Sequence, residues 1–66
     1  MKKMFMLIGY KEVPIVDANN PENTHYYVVG TLIENHSNIN HAEKVAAEEA
    51  KNYELGVEIK TVYVKD

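Results

Sequence analysis

Residues 25–34, HYYVVGTLIE, and residues 40–55, NHAEKVAAEEAKNYEL, decide the fold of this chain. The first stretch reads as a β-strand with two alternating sets of side chains, Tyr27, Val29, Thr31, Ile33 and Tyr26, Val28, Gly30, Leu32. Both sets are largely apolar, whereas a sheet with one wet face shows apolar and polar residues in turn. Gly30 in mid-strand marks a bulge or a close backbone approach. The second stretch reads as a helix with one apolar stripe, formed by Ala42, Val45, Ala46, Ala50 and Tyr53. Asn40 is the expected N-cap, with Glu43 three residues on as in a capping box, and Gly56 fits the left-handed position that ends many helices. One short helix covers one side of a sheet, so apolar sheet surface is left over.

Working outward, residues 4–13 form a first strand in which Phe5, Leu7 and Gly9 alternate with Met4, Met6, Ile8 and Tyr10. Pro14 donates no ladder hydrogen bond, so regular pairing weakens there or the stretch lies on an edge. Residues 17–24, DANNPENT, concentrate turn formers and predict a long mobile hairpin loop. Residues 57–64 form a third strand, with Val57, Ile59, Thr61 and Tyr63 on one side and Glu58, Lys60, Val62 and Val64 on the other. Passage from the second strand to the third through a helix suits a right-handed crossover. The most continuously apolar strand, the first, then belongs in the centre. The expected fold is a single α+β domain over residues 1–66. It is a small three-stranded antiparallel sheet, spatial order 2-1-3, with one helix on one face in a β-β-α-β order. Tyr27 and Tyr63 are expected in the helix-facing core, and Tyr10 and Tyr26 on the open face.

Sixty-six residues leave a marginal core, because a chain this short buries only about 60 % of the surface it exposes when unfolded. Disulfides, metals and partner subunits are the usual remedies. With no cysteine, disulfides and thiolate zinc sites are excluded, which leaves association. The net charge of −3 and the absence of arginine argue against nucleic acid, since phosphate binding relies on Lys and Arg to displace counterions. The opening MKKMFMLI has too short an apolar run for a signal peptide. No stretch approaches the roughly 20 apolar residues of a membrane span. The chain therefore reads as cytoplasmic.

No catalytic, cofactor or metal motif stands out, and the chain reads as a non-enzyme without a cofactor. His25, His36 and His41 lack the i, i+2 or i, i+4 spacings common among metal ligands, and they read as surface histidines. Glu48 and Glu49 are neighbours on a helix and point in different directions, so they cannot work as facing carboxylates. Asp17, Asn19, Asn20 and Glu22 superficially resemble a calcium loop, but the ligand spacing and the glycine are missing. Five tyrosines in so small a chain point to contact surface, because tyrosine joins rigid area to a polar tip.

The expected interface is the open sheet face or an edge strand, with the face carrying Met4, Met6, Ile8, Tyr10, Tyr26, Val28, Leu32, Val62 and Val64 as the first choice. The expected function is a non-enzymatic protein–protein interaction module acting as a homodimer, a small regulator or inhibitor of a larger protein. Its partner-binding loop would carry Asp17, Asn19, Asn20 and Glu22. Small, cysteine-free, slightly acidic chains of this kind are common among phage and mobile-element proteins. The alternative is a nucleic-acid-associated regulator that stacks bases on Tyr10 and Tyr26. A third reading is an enzyme whose site forms between subunits from His25, His36 and His41.

Overall fold

A computed structural model of the chain describes residues 1–65. Along the chain run β1 (Lys2–Asp17), β2 (Asn20–His36), α1 (Ile39–Glu49), a 3-10 turn (Ala50–Asn52) and β3 (Val57–Val64). The strands form one antiparallel sheet in the order β2-β1-β3. This is the small α+β fold with β-β-α-β order that the sequence predicts, with the most apolar strand in the centre.

The third strand has the expected bounds, while β1 and β2 run on well past theirs. Pro14 does not end β1, because it pairs with Tyr26 in a stretch that β3 does not reach. Its missing N–H therefore breaks no ladder on that side. The expected long loop over 17–24 is also corrected. The chain reverses through a two-residue turn, Ala18–Asn19, and Asn20 already pairs with Asp17. Two-residue hairpin turns usually adopt positive φ at one or both centres, yet Gly56 is the one residue with positive φ among those described. Two features relieve the mismatch. The Asn19 N–H donates to Asp17 Oδ1 at 2.9 Å, closing an Asx turn. Pro21, Glu22 and Asn23 are inserted between the paired residues Asn20 and Thr24.

The helix begins earlier and ends sooner than its stripe predicts. Asn38, not Asn40, is the N-cap, and its Oδ1 accepts from the Asn40 N–H at 2.8 Å and the His41 N–H at 3.2 Å. Asparagine at either position satisfies the preference for a short polar cap, and spacing alone did not separate them. Ala42 is buried, and Val45 and Ala46 are half-buried, whereas Ala50 lies exposed in the 3-10 turn. Tyr53 follows that turn, and its ring packs on Gly9 of β1, where a Cβ would collide with it. Gly56, at φ +93°, launches β3 rather than closing α1.

The core is thin. Leu7 and Ala42 are the apolar side chains fully buried among the described residues, both at 0 % exposure. Tyr27 and Tyr63 are not core residues. Both strands carry them on the α1 side of the sheet, but they lie beyond the helix and are exposed. Tyr63 sits at the opposite end of the sheet from Tyr27, paired with Lys3. For Tyr27 the reason is that β3 pairs with β1 only from Lys2 to Gly9. Residues 10–17 and 20–30 therefore extend as a two-stranded ribbon of roughly 25 Å at about 3.4 Å per residue. This overhang stretches the molecule to 50 × 26 × 11 Å.

Candidate interaction surface

Residues directly opposite one another in a sheet place their side chains on the same face. The register pairs Met4 with Val62, Lys2 with Val64, Ile8 with Leu32, Tyr10 with Gly30, Glu12 with Val28 and Pro14 with Tyr26. Met4, Met6, Ile8, Tyr10, Tyr26, Val28, Leu32, Val62 and Val64 thus share the face opposite α1. Those on β1 are half-buried, as is Val62. The β2 members are open, with Tyr26 65 %, Val28 59 % and Leu32 55 % exposed, as is Val64 of β3 at 47 %. Glu58 and Lys60 pair with Ile8 and Met6, so charge borders the face on the β3 side.

Tyr10 is the fixed point of this face. Its hydroxyl donates to Glu58 Oε1 at 2.8 Å. Its ring lies over Gly30, where a Cβ would come within 2.9 Å of Tyr10 Cε1 and 3.2 Å of Ile8 Cγ2. Gly30 therefore serves close approach, while the bulge falls further along, where Ile33 is inserted opposite the Leu7–Ile8 step. The hydrogen bond to Glu58, then desolvation, then the nearby carboxylate charge raise the Tyr10 pKa above its ordinary value.

The strand borders differ in a way the sequence reading missed. Tyr10 donates its N–H to Gly56 O at 3.0 Å and accepts from the Leu55 N–H at 3.1 Å. It therefore turns both backbone groups toward the β3 side. In an antiparallel ladder these directions alternate, so Lys11, Val13 and Ile15 bond to Val29, Tyr27 and His25. Thr24, Tyr26, Val28, Gly30 and Leu32 then aim their N–H and C=O groups out of the sheet. Residues 24–32, THYYVVGTL, contain no Asp, Glu, Lys, Arg or Pro. The border of β1 along the ribbon is partly protected by contrast. The Glu12 N–H donates to Glu54 Oε1 at 3.2 Å, and Pro14 has no N–H to offer. A missing lysine or proline in a strand that is apolar on both faces was the available signal.

The remaining candidates lie apart from this surface. Asp17, Asn19, Asn20 and Glu22 cluster at the ribbon tip, with Asp17 half-buried and the others exposed. His25 pairs with Ile15 in the ribbon. His36 and His41 meet at the start of α1, their ring centroids 4.4 Å apart and edge-on, and His36 Nε2 sits against the Glu34 carboxylate. Among the described residues no group of three His, Cys, Asp or Glu side chains is arranged to hold a metal ion. No helix of the described residues is long and apolar enough to cross a membrane. No protein family matches the chain, and comparison with curated proteins and with solved structures gives no significant match.

Proposed function

We propose that the protein is a non-enzymatic protein–protein interaction module that acts as a homodimer in the cytoplasm, a small regulator or inhibitor of a larger protein. One observation carries this reading. Leu7 and Ala42 are shut away from water, while the face opposite α1 presents Tyr26, Val28 and Leu32 more than half exposed. Apolar burial contributes about 25 cal/mol per Å², so a surface of this composition gains most by covering itself with another chain. The acidic tip, with Asp17 and Glu22, gives the larger partner a charged contact at the far end of the ribbon.

Sedimentation equilibrium at micromolar concentration tests the dimer. The expected species has twice the 7.6 kDa chain mass. A lone 7.6 kDa species overturns the reading. A second reading, a nucleic-acid-associated regulator, draws support from Tyr10 and Tyr26 lying on one sheet face. It expects salt-dependent binding of a single-stranded oligonucleotide, and loss of all binding at low salt removes it. The Glu58 carboxylate on Tyr10 weighs against it, because it sets a negative charge where phosphates would pass.

A further inference from the structure

We propose that the second copy docks along the outer border of β2, antiparallel to its own counterpart, so that two chains build one six-stranded sheet. The inference rests on the homodimer reading but moves the contact between copies from the face opposite α1 to the β2 border, leaving that face for the larger partner.

The first argument is area. A folded monomer of 7.6 kDa exposes about 4,300 Å² by the usual mass scaling, whereas this chain exposes 4984 Å². The excess, about 700 Å², is close to the roughly 800 Å² per partner of a standard stable interface. The radius of gyration agrees: it is 15.8 Å, against about 11 Å for a compact chain of this length. The molecule is built with one partner's worth of surface too many.

The second argument is the border itself. Natural sheets protect long free edges with charge, proline, bulges or short strands. The β1 border has Pro14 and the Glu54 cap on Glu12. The β3 border carries Glu58 and Lys60 in its strand. The outward groups of Thr24, Tyr26, Val28, Gly30 and Leu32 have none of these protections. The insertion of residues 21–23 and the bulge at Ile33 mark the two ends of this regular stretch.

The third argument is self-complementarity. Val28 is the midpoint of residues 24–32, so full overlap places it on the two-fold axis, opposite the partner's Val28. Tyr26 then faces the partner's Gly30, and Thr24 the partner's Leu32. On the α1 side Tyr27 faces the partner's Val29, and His25 the partner's Thr31. No like charges meet along this stretch, and an aromatic ring again lies beside a glycine, as Tyr10 does within the chain. The axis is perpendicular to the sheet, so both apolar faces come to the same side. The result is a platform of double width for a larger protein, consistent with the proposed role.

The chain has no cysteine, so a single introduced thiol reports on its neighbours. In the pairing above, two residues at position 28 have Cα atoms about 5.5 Å apart, within the range of about 4.4–6.8 Å that a disulfide spans. Val28→Cys is expected to oxidise to a covalent dimer under mild air oxidation, and Lys60→Cys, on the opposite strand, is expected not to. Val28→Pro removes an outward N–H without touching the β1–β2 ladder. It is expected to leave a folded monomer by circular dichroism and sedimentation. A monomeric wild type overturns the homodimer reading, and this inference with it. A dimeric wild type whose Val28→Cys form does not cross-link above the Lys60→Cys level overturns the edge geometry and leaves the homodimer standing. If Val28→Pro fails to fold, the cross-linking comparison alone decides.

Discussion

The Tyr53 ring rests directly on the backbone of Gly9, and so ties the chain leaving the helical segment to the central strand. A methyl group at position 9 would meet Cγ, Cδ1 and Cε1 of that ring. Cγ is the fixed end of the side chain, so the ring cannot simply swing away. Gly9→Ala is expected to destabilise the fold by about 1–3 kcal/mol, the usual range for overpacking. That exceeds the gain of at most about 1 kcal/mol from stiffening the unfolded chain. Urea denaturation followed by circular dichroism measures the difference. A midpoint equal to wild type would show that the ring does not sit on this strand.

Leu7 is the largest fully buried side chain. Leu7→Ala removes buried methyl groups from the middle of the central strand, at an expected cost of about 2–5 kcal/mol. A domain of this size has a total stability of only about 3–10 kcal/mol. Substantial unfolding at room temperature is therefore expected, visible as lost circular dichroism. Ile15→Ala, at an exposed ribbon position, is expected to leave the urea midpoint of the folded chain nearly unchanged.

Asn38 accepts two N–H groups at the start of α1. Asn38→Ala leaves those donors to water and is expected to lower stability by about 1 kcal/mol. Asn38→Asp keeps the acceptor and adds a negative charge at the positive end of a helix whose first turn has no acidic residue. It is expected to match or exceed wild type. Asn40→Ala is the control, since Asn40 contributes its backbone and not its side chain to the cap. Urea midpoints of the three variants rank them.

The Tyr10–Glu58 hydrogen bond makes stability depend on alkaline pH. The folded pKa of Tyr10 lies above the ordinary value of 10.0, so the protein holds this proton more tightly folded than unfolded. The stabilisation is complete below the unfolded value and drains away as pH climbs through the folded one. Tyr10→Phe is expected to be less stable than wild type near pH 8, and the gap is expected to close in strong alkali. In a spectrophotometric titration of tyrosinate, Tyr10 is expected to ionise late. Glu58→Gln is expected to bring it back toward its ordinary value.

The alternation in β1, the bounds of β3 and the need for a central apolar strand were legible in the sequence, because each depends on a period of two and on burial. The hairpin tip was not. DANNPENT has the composition of a loop, yet Asp17 and Asn20 close a tight turn and the inserted residues 21–23 are absorbed as an irregularity within β2. The helix start was ambiguous because Asn38 and Asn40 are both competent caps. Tyr27 and Tyr63 have the right parity for the core, but parity does not reveal how far a helix reaches along a sheet. The open face was readable from its alternating residues. That β2 lies outermost followed from the expected order 2-1-3. Which of its residues turn their backbone groups outward depends on the hydrogen-bonding phase of the ladder, and alternation of side chains does not reveal that.

Pro14 and the Glu54 side chain do more than finish a strand neatly. Apolar strands with two receptive borders add neighbours without end, and the product is a filament. Along the ribbon Pro14 and the Glu54 side chain guard the β1 border, while residues 24–32 have no such guard. In the proposed dimer, pairing through β2 is therefore expected to stop at two chains rather than run on into a fibre.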